Sequence, residues 1–128
     1  MEFLVVDDSR PTRNLIKNYV MEIKIGEPCY FLEAEDGENA LKLLKTRRVD
    51  FVLLDWNLST KMTGLDVLKV IRSSENLKKL PVIMITGESD KQNVIESIKN
   101  GANDFAIKPI DKKLFAEKIL KAITTVKL

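Results

Sequence analysis

Four apolar runs in this 128-residue chain each end in a side chain suited to holding a hard cation or a phosphoryl group. Val5-Val6 runs into Asp7-Asp8, Leu53-Leu54 into Asp55, Met84-Ile85 into Thr86, and Ala106-Ile107 into Lys108 with Pro109 behind it. Carboxylates gathered in one place repel, and one of them takes up a proton unless a cation joins the group. Magnesium suits such a set, because it takes oxygen ligands, keeps several waters and is usually shared with a phosphate. Asp7, Asp8 and Asp55 together would be neutralised by one divalent ion and the Lys108 ammonium, leaving a pocket that a phosphoryl group can enter. Asp55 is the candidate nucleophile, since a carboxylate can form an acyl phosphate and the end of an apolar strand fixes its direction. Thr86 as a hydroxyl donor and Lys108 as a point charge are candidates to hold the equatorial oxygens.

Those residues act together only if the chain brings the ends of several elements to one place. Short runs rich in Val, Ile, Leu and Phe alternate with longer stretches of helical spacing, which is the βα pattern. The strands are predicted at Phe3–Val6, Cys29–Ala34, Phe51–Leu54, Pro81–Thr86 and Asn103–Ile107. Ser9 and Pro11 open a first helix with Leu15, Ile16, Tyr19, Val20 and Ile23 on one face. Asp36 precedes a second with Ala40, Leu41 and Leu44, and Leu65, Leu68 and Ile71 mark a third. Ser89 with Gln92 suggests a capping box for a fourth, which Gly101 stops. Asp111 caps the last, with Phe115, Ile119, Ala122, Ile123 and Val126 facing the core. Five βα units predict an α/β, three-layer, doubly wound (βα)5 domain with a parallel sheet in the order 2-1-3-4-5. In such sheets ligands bind beyond the carboxyl ends of the strands, where Asp7, Asp8, Asp55, Thr86 and Lys108 stand. The irregular stretch from Trp56 to Thr63 lies at the same end.

Composition removes several classes of chemistry. The chain has no histidine, so it builds no Ser-His-Asp or Cys-His nucleophilic site and no histidine-ligated zinc. The single cysteine, Cys29, makes no internal disulfide and is expected as a small buried strand residue in a reducing compartment. A formal charge of only +2 argues against a nucleic-acid footprint or an anionic membrane surface. With no apolar run long enough for a signal peptide or a membrane span, a single cytoplasmic domain over residues 1–128 is expected.

The segments Val5-Val6-Asp7-Asp8-Ser9, Leu53-Leu54-Asp55-Trp56-Asn57, Ile85-Thr86-Gly87-Glu88 and Gly101-Ala102-Asn103-Asp104-Phe105-Ala106-Ile107-Lys108-Pro109, in that order, resemble the receiver domains of two-component response regulators, and most of all the stand-alone kind. The resemblance implies that Asp7, Asp8 and Asp55 hold magnesium with the backbone carbonyl of Asn57, and that a histidine kinase donates phosphate to Asp55. It implies a cis peptide at Lys108–Pro109, and a switch in which Thr86 moves toward the phosphoryl group and Phe105 turns inward. Asn57 and Glu88 are then the pair that tunes dephosphorylation. The output face would comprise the fourth helix, fifth strand and fifth helix, with Val94, Ile98, Phe105, Lys118 and Lys121. It would meet a downstream protein such as a flagellar motor switch or another effector, the chain being a monomer that can dimerise when phosphorylated. The family's Met-Pro after the acceptor is missing here, and Gly64 stands nine residues beyond Asp55, one more than usual.

Taken singly, each residue has a plainer reading: Asp8 a helix N-cap, Asp55 a strand end before a turn, Thr86 a β-branched strand residue, Lys108 a solvated loop charge, Trp56 partial core packing. Other functions on the same fold are an aspartate-nucleophile phosphatase, which usually needs an acid where Asn57 stands, and a flavin carrier, whose phosphate Asp7 and Asp8 would repel. A constitutive scaffold is the fourth.

Overall fold

In the computed structural model of the protein, residues 1–58, 61–87 and 91–127 are described, residues 126 and 127 by their backbone alone. Five strands, β1 (Glu2–Val6), β2 (Tyr30–Ala34), β3 (Phe51–Asp55), β4 (Val82–Thr86) and β5 (Asp104–Ile107), form one parallel sheet in the order β2-β1-β3-β4-β5. Helices α1 (Arg10–Met21), α2 (Gly37–Thr46), α3 (Gly64–Ser73), α4 (Lys91–Lys99) and α5 (Lys112–Lys127) alternate with them. The predicted order and class are those observed.

β1, β3 and β4 are buried almost throughout because both faces of the sheet are covered, which is why their sequences read as unbroken apolar runs. Residues alternate between two layers. Leu4, Val6, Val52, Leu54 and Met84 pack with Ala40 and Leu44 of α2 and Val67, Leu68 and Ile71 of α3. Phe3, Val5, Leu53, Ile83, Ile85 and Ala106 pack with Ile16 and Val20 of α1 and Phe115, Ile119 and Ile123 of α5. α4 is the thinly anchored helix: among its described residues only Ser97 is buried, while Ile95 and Ile98 stay exposed.

The helix ends follow local chemistry. Ser9 caps α1, its hydroxyl accepting from Thr12 N, and Asp36 caps α2 by accepting from Asn39 N. Asp111 accepts from Leu114 N at the head of α5. Gly101, at φ +97°, takes the left-handed turn that ends α4. Two expectations need correcting. Cys29 lies outside β2 and is half-buried, because pairing of this edge strand with β1 starts only at Tyr30 opposite Glu2. Leu15 is 40% exposed and Ile23 lies past the end of α1, since only Ile16 and Val20 point fully at the sheet. Ser89 and the Val126 side chain lie outside the described residues.

Candidate functional site

The register of the sheet assembles the polar strand ends. Val6 is paired with Leu54, so Asp7 and Asp55 stand level on adjacent strands. Thr86 is paired with Ile107, which puts Lys108 one step beyond it. Alternation then sorts them by face. Asp7, Asp55 and Lys108 each follow by two positions a residue of the α1/α5 layer, namely Val5, Leu53 and Ala106, whereas Thr86 continues the opposite face after Met84.

The Lys108 ammonium accordingly bridges the two buried carboxylates, 3.0 Å from Asp7 Oδ2 and 3.2 Å from Asp55 Oδ2. The other oxygens accept from the backbone: Asp7 Oδ1 from Ser9 N at 2.8 Å and Asp55 Oδ1 from Asn57 N at 3.1 Å. Asp8, exposed on the rim, completes the group, with one oxygen of each of Asp7, Asp8 and Asp55 lying within 4.8 Å of the others. Burial, with the charge of Asp7, pushes the Asp55 carboxyl up to about 6 against the pull of Lys108. Burial works to lower the Lys108 ammonium, but the hydrogen bonds and charges of Asp7 and Asp55 outweigh it and hold that group above its ordinary value. The cluster sets three carboxyl groups, two buried and one on the rim, against the single ammonium of Lys108, an arrangement short of positive charge. Three converging carboxylates with no nitrogen or sulfur ligand fit a hard divalent ion such as magnesium.

Thr86 is buried, and its hydroxyl donates to Gly87 O at 3.3 Å while accepting from Asn93 Nδ2 of α4 at 3.4 Å. Both contacts are long, so its hydroxyl exchanges partners at low cost. The Lys108–Pro109 peptide is cis. The Phe105 ring lies 4.2 Å beneath Lys118 Nζ, which also donates to the Phe105 carbonyl, and a groove of about 350 Å³ opens beside it between Pro109 and Leu114. Of the expected output face, Ile98 and Lys121 are exposed and Val94 is half-buried. Trp56 packs partly against the core next to Asp55, as its plainer reading expects. Glu88 lies outside the described residues. Gly64 brings α3 against the site: a Cβ there would sit 2.1 Å from the Asp55 carbonyl oxygen. Sequence reasoning missed Arg13, whose Nη1 donates to the Asp7 carbonyl at 2.7 Å. Its only signal was a basic residue one turn into the helix that follows Asp7-Asp8.

The family model "Response regulator receiver domain" matches residues 3–120. The chain belongs to the response regulator receiver-domain family. This receiver domain is 38% identical over 121 residues to the "Chemotaxis protein CheY" of Pseudomonas aeruginosa, covering 94% of each chain. It is 40% identical over 121 residues to "Chemotaxis protein CheY-3" of Vibrio cholerae, covering 94% of this chain and 90% of that one. Among solved structures, a receiver domain of a signal transduction histidine kinase from Syntrophus aciditrophicus superposes with a TM-score of 0.82 at 27% identity, over 98% of this chain and 92% of that one. A response regulator from Chloroflexus aurantiacus shares the fold at a TM-score of 0.87 and 24% identity, over 96% and 97% of the two chains. The receiver domain is thus part of a two-component response regulator. No helix among its described residues is long and apolar enough to cross a membrane.

Proposed function

We propose that this receiver domain takes a phosphoryl group onto Asp55 from a histidine kinase and passes the signal on through the face formed by α4, β5 and α5. The observation that carries the reading is the Asp7–Asp8–Asp55 cluster bridged by Lys108 at the carboxyl end of the sheet. A carboxyl held near pH 6 is mostly anionic at neutral pH, and the anion is the nucleophile. One Asp55 oxygen forms a bond to phosphorus as the bond from phosphorus to the donor breaks. The donor leaves with that electron pair, and Asp55 becomes an acyl phosphate. Asp7, Asp8, Asp55 and the Asn57 carbonyl would hold magnesium, which when bound neutralises charge shared by the carboxylates and the incoming phosphoryl group. Lys108 then turns part of its charge to a phosphoryl oxygen, and Thr86 exchanges its long contacts for another.

That exchange would loosen Asn93, on the thinly anchored α4, and so reach the output face. Phe105, held under Lys118, is the ring that would turn inward. By the family resemblance, Asn57 and Glu88 would tune the lifetime of the phosphoryl group. The names of the two chemotaxis relatives support a chemotaxis-type regulator, with a flagellar motor switch or comparable cytoplasmic protein as target. The test is Trp56 fluorescence on adding beryllofluoride and magnesium. A change in the wild type that is lost in Asp55→Asn and in chelator is expected, and an identical change in Asp55→Asn refutes the reading.

A further inference from the structure

Past Val6, the last residue of β1 in register with β2, the chain leaves the sheet through Asp7 and turns into α1. The Asp7 amide still donates to Ala34 O at 3.1 Å, and its carbonyl accepts from Arg13 Nη1 at 2.7 Å. The Arg13 side chain is only 12% exposed, and a second of its donors, Nε, is spent on Glu33 Oε1 of β2 at 2.9 Å. Lys17, one turn further along α1, donates to the other Glu33 oxygen at 2.8 Å. A chain of polar contacts therefore runs from the edge strand through Glu33 and Arg13 to the peptide that joins Asp7 to Asp8.

We propose that Arg13, braced by Glu33, is a positioning residue for divalent-cation binding: it fixes the Asp7–Asp8 peptide, and with it the directions of both carboxylates. The inference rests on the reading of Asp7, Asp8 and Asp55 as a magnesium site. Arg13 points its guanidinium at a backbone oxygen and donates to none of the three carboxylates. A guanidinium has the wrong charge to attract the ion, so electrostatics alone predicts that removing it tightens magnesium binding. Loss of a support that orients the ligands predicts the opposite, as partners behind metal ligands generally do.

The sign of the change is therefore the test. Magnesium dissociation constants are measured by isothermal titration calorimetry on the wild type, Arg13→Met, Arg13→Lys, Glu33→Gln and the double variant, with thermal melts in chelator to show that each is folded. Arg13→Met is expected to weaken magnesium about tenfold, with Arg13→Lys recovering part of the loss. Glu33→Gln is expected to weaken binding in the wild-type background and to add nothing to Arg13→Met, because it acts through Arg13. Binding in Arg13→Met as tight as wild type or tighter overturns the inference and leaves the site itself standing. Should Arg13→Met not fold, unchanged affinity in both Arg13→Lys and Glu33→Gln overturns it. A wild type that does not bind magnesium defeats the underlying reading, and the inference with it.

Discussion

Asp55 is a carboxylate that the fold holds at a cost, and the cost has a pH signature. Its carboxyl ordinarily titrates at 3.8 and is pushed up to about 6 in the folded chain, by burial first and by Asp7 second. Between those values the unfolded chain gives up the proton that the native state still holds, so the contribution of this group to stability is full below 3.8 and is lost as the pH rises through about 6. In chelator, the melting temperature of the wild type relative to Asp55→Asn should fall across that interval and level off above it. A relative melting temperature that rises with pH would contradict the assignment. The cluster was legible in the sequence because each member closes an apolar run. Arg13 was not, because nothing in its neighbours says that an arginine one turn into a helix folds back on a strand-end carbonyl.

At the scale of elements, the site depends on how closely α3 starts beside the end of β3. Gly64 N donates to Trp56 O at 3.1 Å, and a Cβ on Gly64 would meet backbone on every near side, 2.1 Å from Asp55 O and 2.9 Å from Trp56 Cα. Backbone cannot swing away as a flexible side chain can, so Gly64→Ala should destabilise the fold by about 1–3 kcal/mol and weaken magnesium binding by shifting Asp55. Urea denaturation and a magnesium titration check both. Just before it, the hydroxyl of Thr63 accepts from Asp66 N at 3.1 Å while Asp66 Oδ2 accepts from Thr63 N at 3.0 Å. Thr63→Ala should cost about 1 kcal/mol by denaturant melt. This capping box escaped the sequence reading, since Thr63 closes a stretch read as irregular and its partner at the third position is Asp rather than the usual Glu or Gln. The strands were legible to within a residue at each end because burial on two faces leaves little but Val, Ile, Leu and Phe. The edge strand β2, with β1 on one side, carries that pattern most weakly: Tyr30 and Glu33 are exposed, its middle is Phe31-Leu32-Glu33, and Cys29 fell outside it.

For the whole molecule, the sheet is a rigid register that converts sequence order into proximity, bringing Lys108 Nζ to 3.0 Å from Asp7 Oδ2, 101 residues away in the chain, and to 3.2 Å from Asp55 Oδ2, 53 residues away. Because the acidic cluster repels itself, a cation that binds only the folded chain should stabilise it, by about 2.7 kcal/mol at a hundred times its dissociation constant. Thermal melts should therefore rise with magnesium in the wild type and stay flat in Asp7→Asn. Of the proposed output face, α4 is the thinly anchored element, burying only Ser97 among its described residues, and it is there that a small change at Thr86 would be read by a partner. The most direct measurement is the intact mass of the protein after incubation with acetyl phosphate. One added phosphoryl group is expected in the presence of magnesium, absent in chelator and absent in Asp55→Asn. No added mass in the wild type, or the same addition in Asp55→Asn, would contradict it.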